Sequence, residues 1–224
     1  MGTRGRYPDI DALPSSAPVF PLTGAVLLPR VRLPLNIFEP RYLAMVDAAL
    51  AGDRVIGMIQ PATAGAEGES MSPDLARVGC LGRLSAFSET EDGRYLITLT
   101  GLCRFSVGAE LEVDTPFRQV RMEYGHYSGD LKPAPEPDLD RRRLLGALEA
   151  YLQNRELEVD WDSLEGAGSE GLVNTLAMML PLGAREKQGL LLAETLNQRA
   201  QLLVTLLEMD RSRGSEDDSD TPLQ

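Results

Sequence analysis

The sequence predicts an α+β protein in two parts, a β-rich amino-terminal part and a helical carboxy-terminal part. Three observations carry that prediction. Up to about Tyr127 the apolar residues mostly alternate, with Gly and Pro between the runs, as half-buried strands do. After about Pro137 they recur every three to four residues, as on one face of a helix. Between the two lies "GHYSGDLKPAPEPD", whose Pro133, Pro135 and Pro137 exclude the interior of either element. The expected division is a flexible segment over 1–17, a β domain over 18–127, a Pro-rich linker over 128–137, a helical bundle over 138–210 and an acidic disordered tail over 211–224.

In chain order, "PVFPL" and "VRLPLNI" read as short strands, and "IFEPRYLAMVDAALAGD" as a helix. Pro40 suits the first helical position, where its missing N–H costs nothing. Glu39 places a carboxylate at the positive end of the helix dipole. Phe38 and Leu43 are spaced as a hydrophobic staple. Leu43, Val46 and Leu50 form the expected buried stripe, and Gly52 and Asp53-Arg54 return the chain to the strand "RVIGMIQP". "CLGRLSAF" then turns through "SETEDGRY", with Asp92-Gly93 as the hairpin signal, into "GRYLITLTGLCRFSV". There Tyr95, Ile97, Leu99, Cys103, Phe105 and Val107 share an apolar face, while Thr98, Thr100, Arg104 and Ser106 point the other way. Gly101 falls on the apolar face and suggests a bulge or bend. "FRQVRMEY" is a further strand, and so many short strands read as a small sandwich or barrel.

Beyond the linker, "DLDRRRLLGALEAYLQNRE" sets Leu145, Leu148 and Leu152 on one helix face, with Asp138 or Asp140 as cap. "EGLVNTLAMML" follows with Ser169 as cap, Leu172, Leu176 and Met179 on one face and Pro181 as its stop. "AREKQGLLLAE" and "TLNQRAQLLVTLLEMD" complete the set, the last with Leu196, Ala200, Leu203 and Leu207 in a stripe. A compact bundle is the simplest assembly.

The composition bounds function. The chain has 224 residues, a formal charge of −12 and a pI near 4.6. Phosphate binding needs clustered Lys and Arg, so nucleic acid is not an expected partner. No apolar run of about 18 residues is present to span a bilayer and the start lacks the core of a secretory signal, so no membrane partner and a cytoplasmic location are expected. Cys80 and Cys103 are too few and too far apart for a disulfide framework and read as reduced, buried residues.

Catalytic motifs are not found. His126 is the sole histidine and lies in the linker region; no G-x-S-x-G accompanies it. The only lysines, Lys132 and Lys187, read as solvated. There is no C-x-x-C or H-E-x-x-H, so neither a metal nor another cofactor is expected. The carboxylate pairs Glu89/Glu91 and Asp160/Asp162 fall in exposed, turn-like contexts, without the desolvation a general acid requires. "GAGSEG" matches G-x-G-x-x-G only formally, since the acidic "EVDWDSLE" precedes it instead of a strand. No Walker A sequence is present.

The order "PVFPLTGAVLLPRVRLPLNIFEPRYLAMVDAALAGDRVIGMI", "VGCLGRL", "DGRYLITLTGLCRF" and "LVNTLAMMLPLGAREKQGLLLAETLNQRAQLLVTLLE" resembles the amino-terminal, substrate-binding domain of Lon proteases. More closely, it is similar to the stand-alone bacterial proteins built on that domain, over roughly Pro18 to Glu208. One departure is Asn36, where the family often has histidine. The resemblance implies a PUA-like β pseudobarrel carrying one helix, followed by a helical bundle. It also implies a non-catalytic module that binds exposed or unfolded polypeptide segments, as an adaptor or chaperone-like factor alongside a protease or chaperone. Neither the AAA+ motif nor the Ser/Lys dyad of full-length Lon is present in these residues. The alternatives from other classes are a stand-alone hydrolase or peptidase and a small-molecule sensor with a pocket between barrel and bundle. The expected polypeptide contacts are Glu39, Arg41 and Tyr42 at the helix start, with Leu27, Leu28 and Val31 on the loop before it.

Overall fold

The computed structural model describes residues 7, 9–62, 74–157 and 159–217. A mixed sheet and helices make the fold α+β. Strands β1 (Ser16–Pro21) and β2 (Arg32–Ile37) precede helix α1 (Pro40–Ala51), which leads to β3 (Val55–Ile59), β4 (Val78–Glu89), β5 (Tyr95–Glu110) and β6 (Gln119–Glu123). A 3₁₀ segment, Gly125–Leu131, follows. Then come α2 (Arg141–Gln153), α3 (Trp161–Gly166), α4 (Ser169–Met179), α5 (Ala184–Leu192) and α6 (Leu196–Asp217).

The chain separates into two compact units. One comprises Met1–Pro133 with Met178–Leu192, the other Ala134–Ala177 with Ala193–Gln224. Helix α5 thus belongs to the strand-bearing unit, against the expectation of one bundle over 138–210. The reason is polar: buried Gln60 donates to the Ala184 carbonyl at 2.9 Å and to Gln188 at 3.0 Å, and Gln188 donates to the Val78 carbonyl at 3.1 Å. Other boundaries also shift. Residues 9–17, expected to be flexible, hold a 3₁₀ turn capped by Asp9 and the first residues of β1. The expected tail over 211–224 is helical to Asp217 as part of α6, and 218–224 lie outside the described residues.

In the first unit the strand order is β2-β5-β4-β3-β1-β6, and an added β5–β6 pairing closes the sheet. Only β1 and β3 run parallel. Closure depends on β5 changing partners along one edge: Tyr95–Thr100 pairs with β2, whereas Ser106–Glu110 pairs with β6. The change falls at Gly101. Its N–H donates to the Val31 carbonyl at 2.9 Å and its carbonyl accepts from Arg30 N–H at 2.8 Å. A Cβ there would stand 2.0 Å from the Leu28 carbonyl oxygen, so no larger residue fits. A register shift beside it, Leu81 facing Cys103 and Gly82 facing Gly101, is the expected bulge. Inside the sheet Phe105 is fully buried, its ring lying against Gly79, where a Cβ would come within 2.7 Å.

Helix α1 begins at Pro40 as expected, but Glu39 makes no side-chain capping bond. Its buried residues are Tyr42, Met45, Val46 and Ala49, a set turned away from the expected Leu43, Val46 and Leu50. Tyr42 decides the rotation by packing on Phe20 of β1, ring centroids 4.4 Å apart. Phe38 is 63% exposed and forms no staple. Arg104, which points away from the apolar face as expected, is nevertheless only 4% exposed.

In the second unit Asp140 caps α2 by accepting from Arg143 N–H at 3.1 Å. Leu144, Leu148, Tyr151 and Leu152 of α2 are buried, as are Leu196, Ala200, Leu203 and Leu207 of α6, the stripe the spacing predicts. Leu145 is only half-buried. Ser169 lies inside α4 and its hydroxyl bonds Glu136; the capping carbonyl is that of Gly168, which accepts from Leu172. Met179, expected on the buried face of α4, is exposed. Buried Arg199 donates to Asn174 Oδ1 at 2.9 Å, which satisfies a polar pair among the leucines.

Candidate functional site

Three of the six expected contact residues have no surface to offer. Leu27 and Leu28 are fully buried in the strand unit, and Tyr42 is 7% exposed. Burial raises the Tyr42 hydroxyl pKa, Arg41 opposing the shift and Glu39 adding to it. Val31 is half-buried and holds Gly101 through its carbonyl. Glu39 is half-buried and Arg41 exposed, and they occupy each other: Arg41 Nε donates to Glu39 Oε2 at 2.9 Å, and the guanidinium lies 4.5 Å from the centroid of the Tyr42 ring. "EPRY" is therefore a self-satisfied helix start.

Next to it the structure brings together a surface that the expected contacts missed. Directly paired residues in a sheet project to the same face. The pairings place Asn36, Leu96 and Ser88 in one row, Pro34, Thr98 and Ala86 in the next, and Arg32, Thr100 and Arg83 in a third. Over the first two rows lies a groove of about 510 Å³. Leu96 is 46% exposed on this face, and Phe87, on the opposite face, is 41% exposed. The Phe87 and Tyr95 rings meet edge-on at 5.0 Å, and the Tyr95 hydroxyl bonds Asp47 of α1, which raises its pKa. Helix α1 thus stands on the Phe87 side and leaves the Leu96 side open. Phe38 adds apolar surface at the end of β2.

The outer edge of β2 is also open. Among the described residues β2 pairs with β5 alone. Pro34 has no N–H, so Pro34 and Thr98 form a non-hydrogen-bonded pair. By alternation, the backbone groups of Arg32, Pro34 and Asn36 point away from β5. That edge offers carbonyls at all three positions and N–H groups at Arg32 and Asn36. Proline in an edge strand interrupts the ladder, a common protection against uncontrolled sheet growth.

A second groove of about 640 Å³ has Gln60, Asp74, Arg77, Arg185 and Gln188 in its walls. The two glutamines are spent on the bonds to α5 and β4 described above, and Gln60 Oε1 also accepts from Gly24 N–H at 2.9 Å. Arg118, in the same wall, is engaged by Glu110 through two charge-assisted bonds, which lower the Glu110 pKa.

No chemistry collects at either groove. Among the described residues no group of three or more His, Cys, Asp or Glu is placed to hold a metal. His126 is exposed, its ring 4.9 Å from Tyr127. Lys187, expected in solvent, is buried: its Nζ donates to the Met178 carbonyl at 2.8 Å and burial lowers its pKa. Cys80 and Cys103 are buried thiols outside any disulfide, and burial, reinforced by Asp130, pushes the Cys103 thiol up to about 12. No helix among the described residues is long and apolar enough to cross a membrane.

Residues 16–209 match the family model described as the ATP-dependent protease La (LON) substrate-binding domain. Among curated proteins, the Lon protease of Cytophaga hutchinsonii is 25% identical over 90% of this chain and 25% of its own length. Lon protease 4 of Sorangium cellulosum is 32% identical over 65% of this chain and 16% of its own. The chain spans a quarter or less of the length of the first of these relatives. Among solved structures, a Lon N-terminal domain protein from Xanthomonas campestris shares the fold with a TM-score of 0.59 and 24% identity, covering 85% of this chain and 97% of that one. The N-terminal domain of the Mycobacterium avium complex Lon protease does so with a TM-score of 0.56 and 18% identity, over 86% and 98%.

Proposed function

The chain belongs to the Lon substrate-binding-domain family, and from that premise we propose that it is a non-catalytic module that binds exposed or unfolded polypeptide segments, as an adaptor or chaperone-like factor. The observation that carries this reading is the exposed apolar side chains of Leu96 and Phe38 beside the open edge of β2. A segment in an unfolded chain carries both things this surface lacks, backbone groups free to pair and apolar side chains free to bury. A folded client has both already engaged. We read the closed sheet as a PUA-like pseudobarrel, which presents this surface on a firm base. Neither ATP hydrolysis nor peptide cleavage is assigned to these residues, which hold no Walker A motif and no Ser/Lys dyad. The surface charge argues against nucleic acid, and the cytoplasm is the proposed location.

Fluorescence anisotropy with one model protein in unfolded and native forms tests the proposal. The unfolded form should bind in roughly the micromolar range and the native form far more weakly. Leu96→Asp and Phe38→Ser should weaken binding without lowering the melting temperature. Negligible, equal binding of both forms would remove the proposal.

A further inference from the structure

Resting on that polypeptide-binding reading, we propose that the Leu96 face selects extended segments in which a carboxylate is followed, at an even spacing, by an apolar residue. The row Arg32, Thr100, Arg83 places two guanidinium groups on this face, their Cα atoms about 10 Å apart across β5. Arg83 Nε is buried and has no hydrogen-bond partner among the described residues. Arg32 is exposed, and no described residue forms an ion pair with either group. The other two rows, Pro34, Thr98, Ala86 and Asn36, Leu96, Ser88, hold no ionisable side chain. The nearby acids are turned elsewhere: Glu89 pairs with Tyr95 and so lies on the opposite face, and Asp92 is bound by Arg94 at 2.9 Å.

The face is thus cationic at one end and apolar at the other, in a chain whose formal charge is −12. Charge complementarity defines the occupant. An acidic segment is repelled by the surface at large and attracted at this row, where two guanidinium groups stand without an ion-pair partner among the described residues. The open edge of β2 sets the spacing. A strand laid along it in the direction of β2 sends alternate side chains over the Leu96 face, so a carboxylate opposite Arg32 is followed two and four residues on by side chains opposite Pro34 and Asn36, an order that an antiparallel strand would reverse. An odd spacing sends the apolar residue to the other face. Pro34 limits the added ladder to a short segment.

The test uses the full chain and short labelled peptides of alternating pattern, with Asp at i and Leu at i+2 and i+4. Controls replace Asp by Asn or Lys, or move the leucines to i+1 and i+3. The Asp peptide should bind ~tenfold more tightly than the Asn peptide at low salt, and the Lys and odd-spaced peptides more weakly still. The preference for Asp should vanish in Arg32→Gln and in Arg83→Gln, and shrink at roughly 0.3 M salt. Arg32 is exposed, so its variant keeps the test valid if Arg83→Gln fails to fold. Equal binding of Asp and Asn peptides, with the unfolded model protein still bound, overturns the selection and leaves the protein-binding reading in place. Equal binding of even and odd spacings overturns the strand-addition geometry. If no polypeptide of any kind binds, both readings fall.

Discussion

Arg104 and Asp130 grip each other through two parallel hydrogen bonds, Nε to Oδ2 at 2.8 Å and Nη2 to Oδ1 at 2.9 Å, with little of either side chain exposed. The backbone N–H of Arg104 adds a third bond to Oδ2 at 3.0 Å, and Nη1 donates to the Leu191 carbonyl at 3.0 Å. The guanidinium also lies 4.6 Å from the centroid of the Tyr127 ring. One charge pair therefore fastens β5, the 3₁₀ segment and α5 together.

Removing one partner of such a pair strands the other. Asp130→Ala should cost about 3–5 kcal/mol, read from the midpoint of urea denaturation. The double variant Arg104→Met with Asp130→Leu should lose less than Asp130→Ala alone, because no buried charge is left behind. A single variant within about 0.5 kcal/mol of the parent would show that the pair is replaceable.

Two glycine substitutions should have opposite signs. Gly101→Ala drives a Cβ into the Leu28 backbone and should cost at least ~3 kcal/mol. Gly146→Ala, inside α2 with nothing within 4 Å of the added Cβ, should stabilise by about 0.5–1 kcal/mol. Thermal melts of the two variants check both.

At the start of α1, neighbouring residues should differ sharply. Tyr42→Ala empties the contact with Phe20 and should cost about 3 kcal/mol. Arg41→Ala breaks a half-exposed pair with Glu39 and a surface contact with the Tyr42 ring, and should stay within about 1 kcal/mol. A large loss for Arg41→Ala in chemical denaturation would contradict this division.

Cys103 gives an alkaline signature. Its thiol is pushed up to about 12 by burial, so the folded chain keeps a proton that the unfolded chain releases near pH ~8.5. The stability from this group is complete below that pH and is lost as pH rises toward the folded value, by up to about 1.4 kcal/mol per pH unit. Cys103→Ala carries a fixed packing cost and lacks that loss. The stability advantage of the parent over the variant should therefore narrow steadily from about pH 8 to pH 11, and a constant difference in urea midpoints would contradict the assignment.

Much of the backbone plan was legible in the residues. Alternation located the strands, and Gly101 marked the bend because no other residue tolerates so close a carbonyl. The burial of Arg104 was not legible, since its parity in β5 is the polar one; only the 3₁₀ segment and α5, far along the chain, cover it. Leu27 and Leu28 lie in a stretch without period and so read as exposed loop, although Leu28 backs onto Gly101. Tyr42 reads from the residues as a contact at the helix start, so the expected face of α1 is centred on Leu43, Val46 and Leu50, and only its packing on Phe20 turns that face. The Leu96 face depends on register, on Asn36 and Ser88 meeting Leu96, and register between strands is not written in either strand alone.

The double pairing of β5 also sets an order in time. The β4–β5 hairpin closes through the short turn from Thr90 to Arg94, a local event with little loop entropy to overcome. Sealing the sheet requires Ser16 to find Arg121 and Ser106 to find Glu123, the first across most of the strand unit. Such distant pairings form slowly. The hairpin that bears Leu96 and Arg83 is therefore expected to exist before the sheet is sealed, and a chain caught at that stage would already expose the same apolar face to its own unfinished strands.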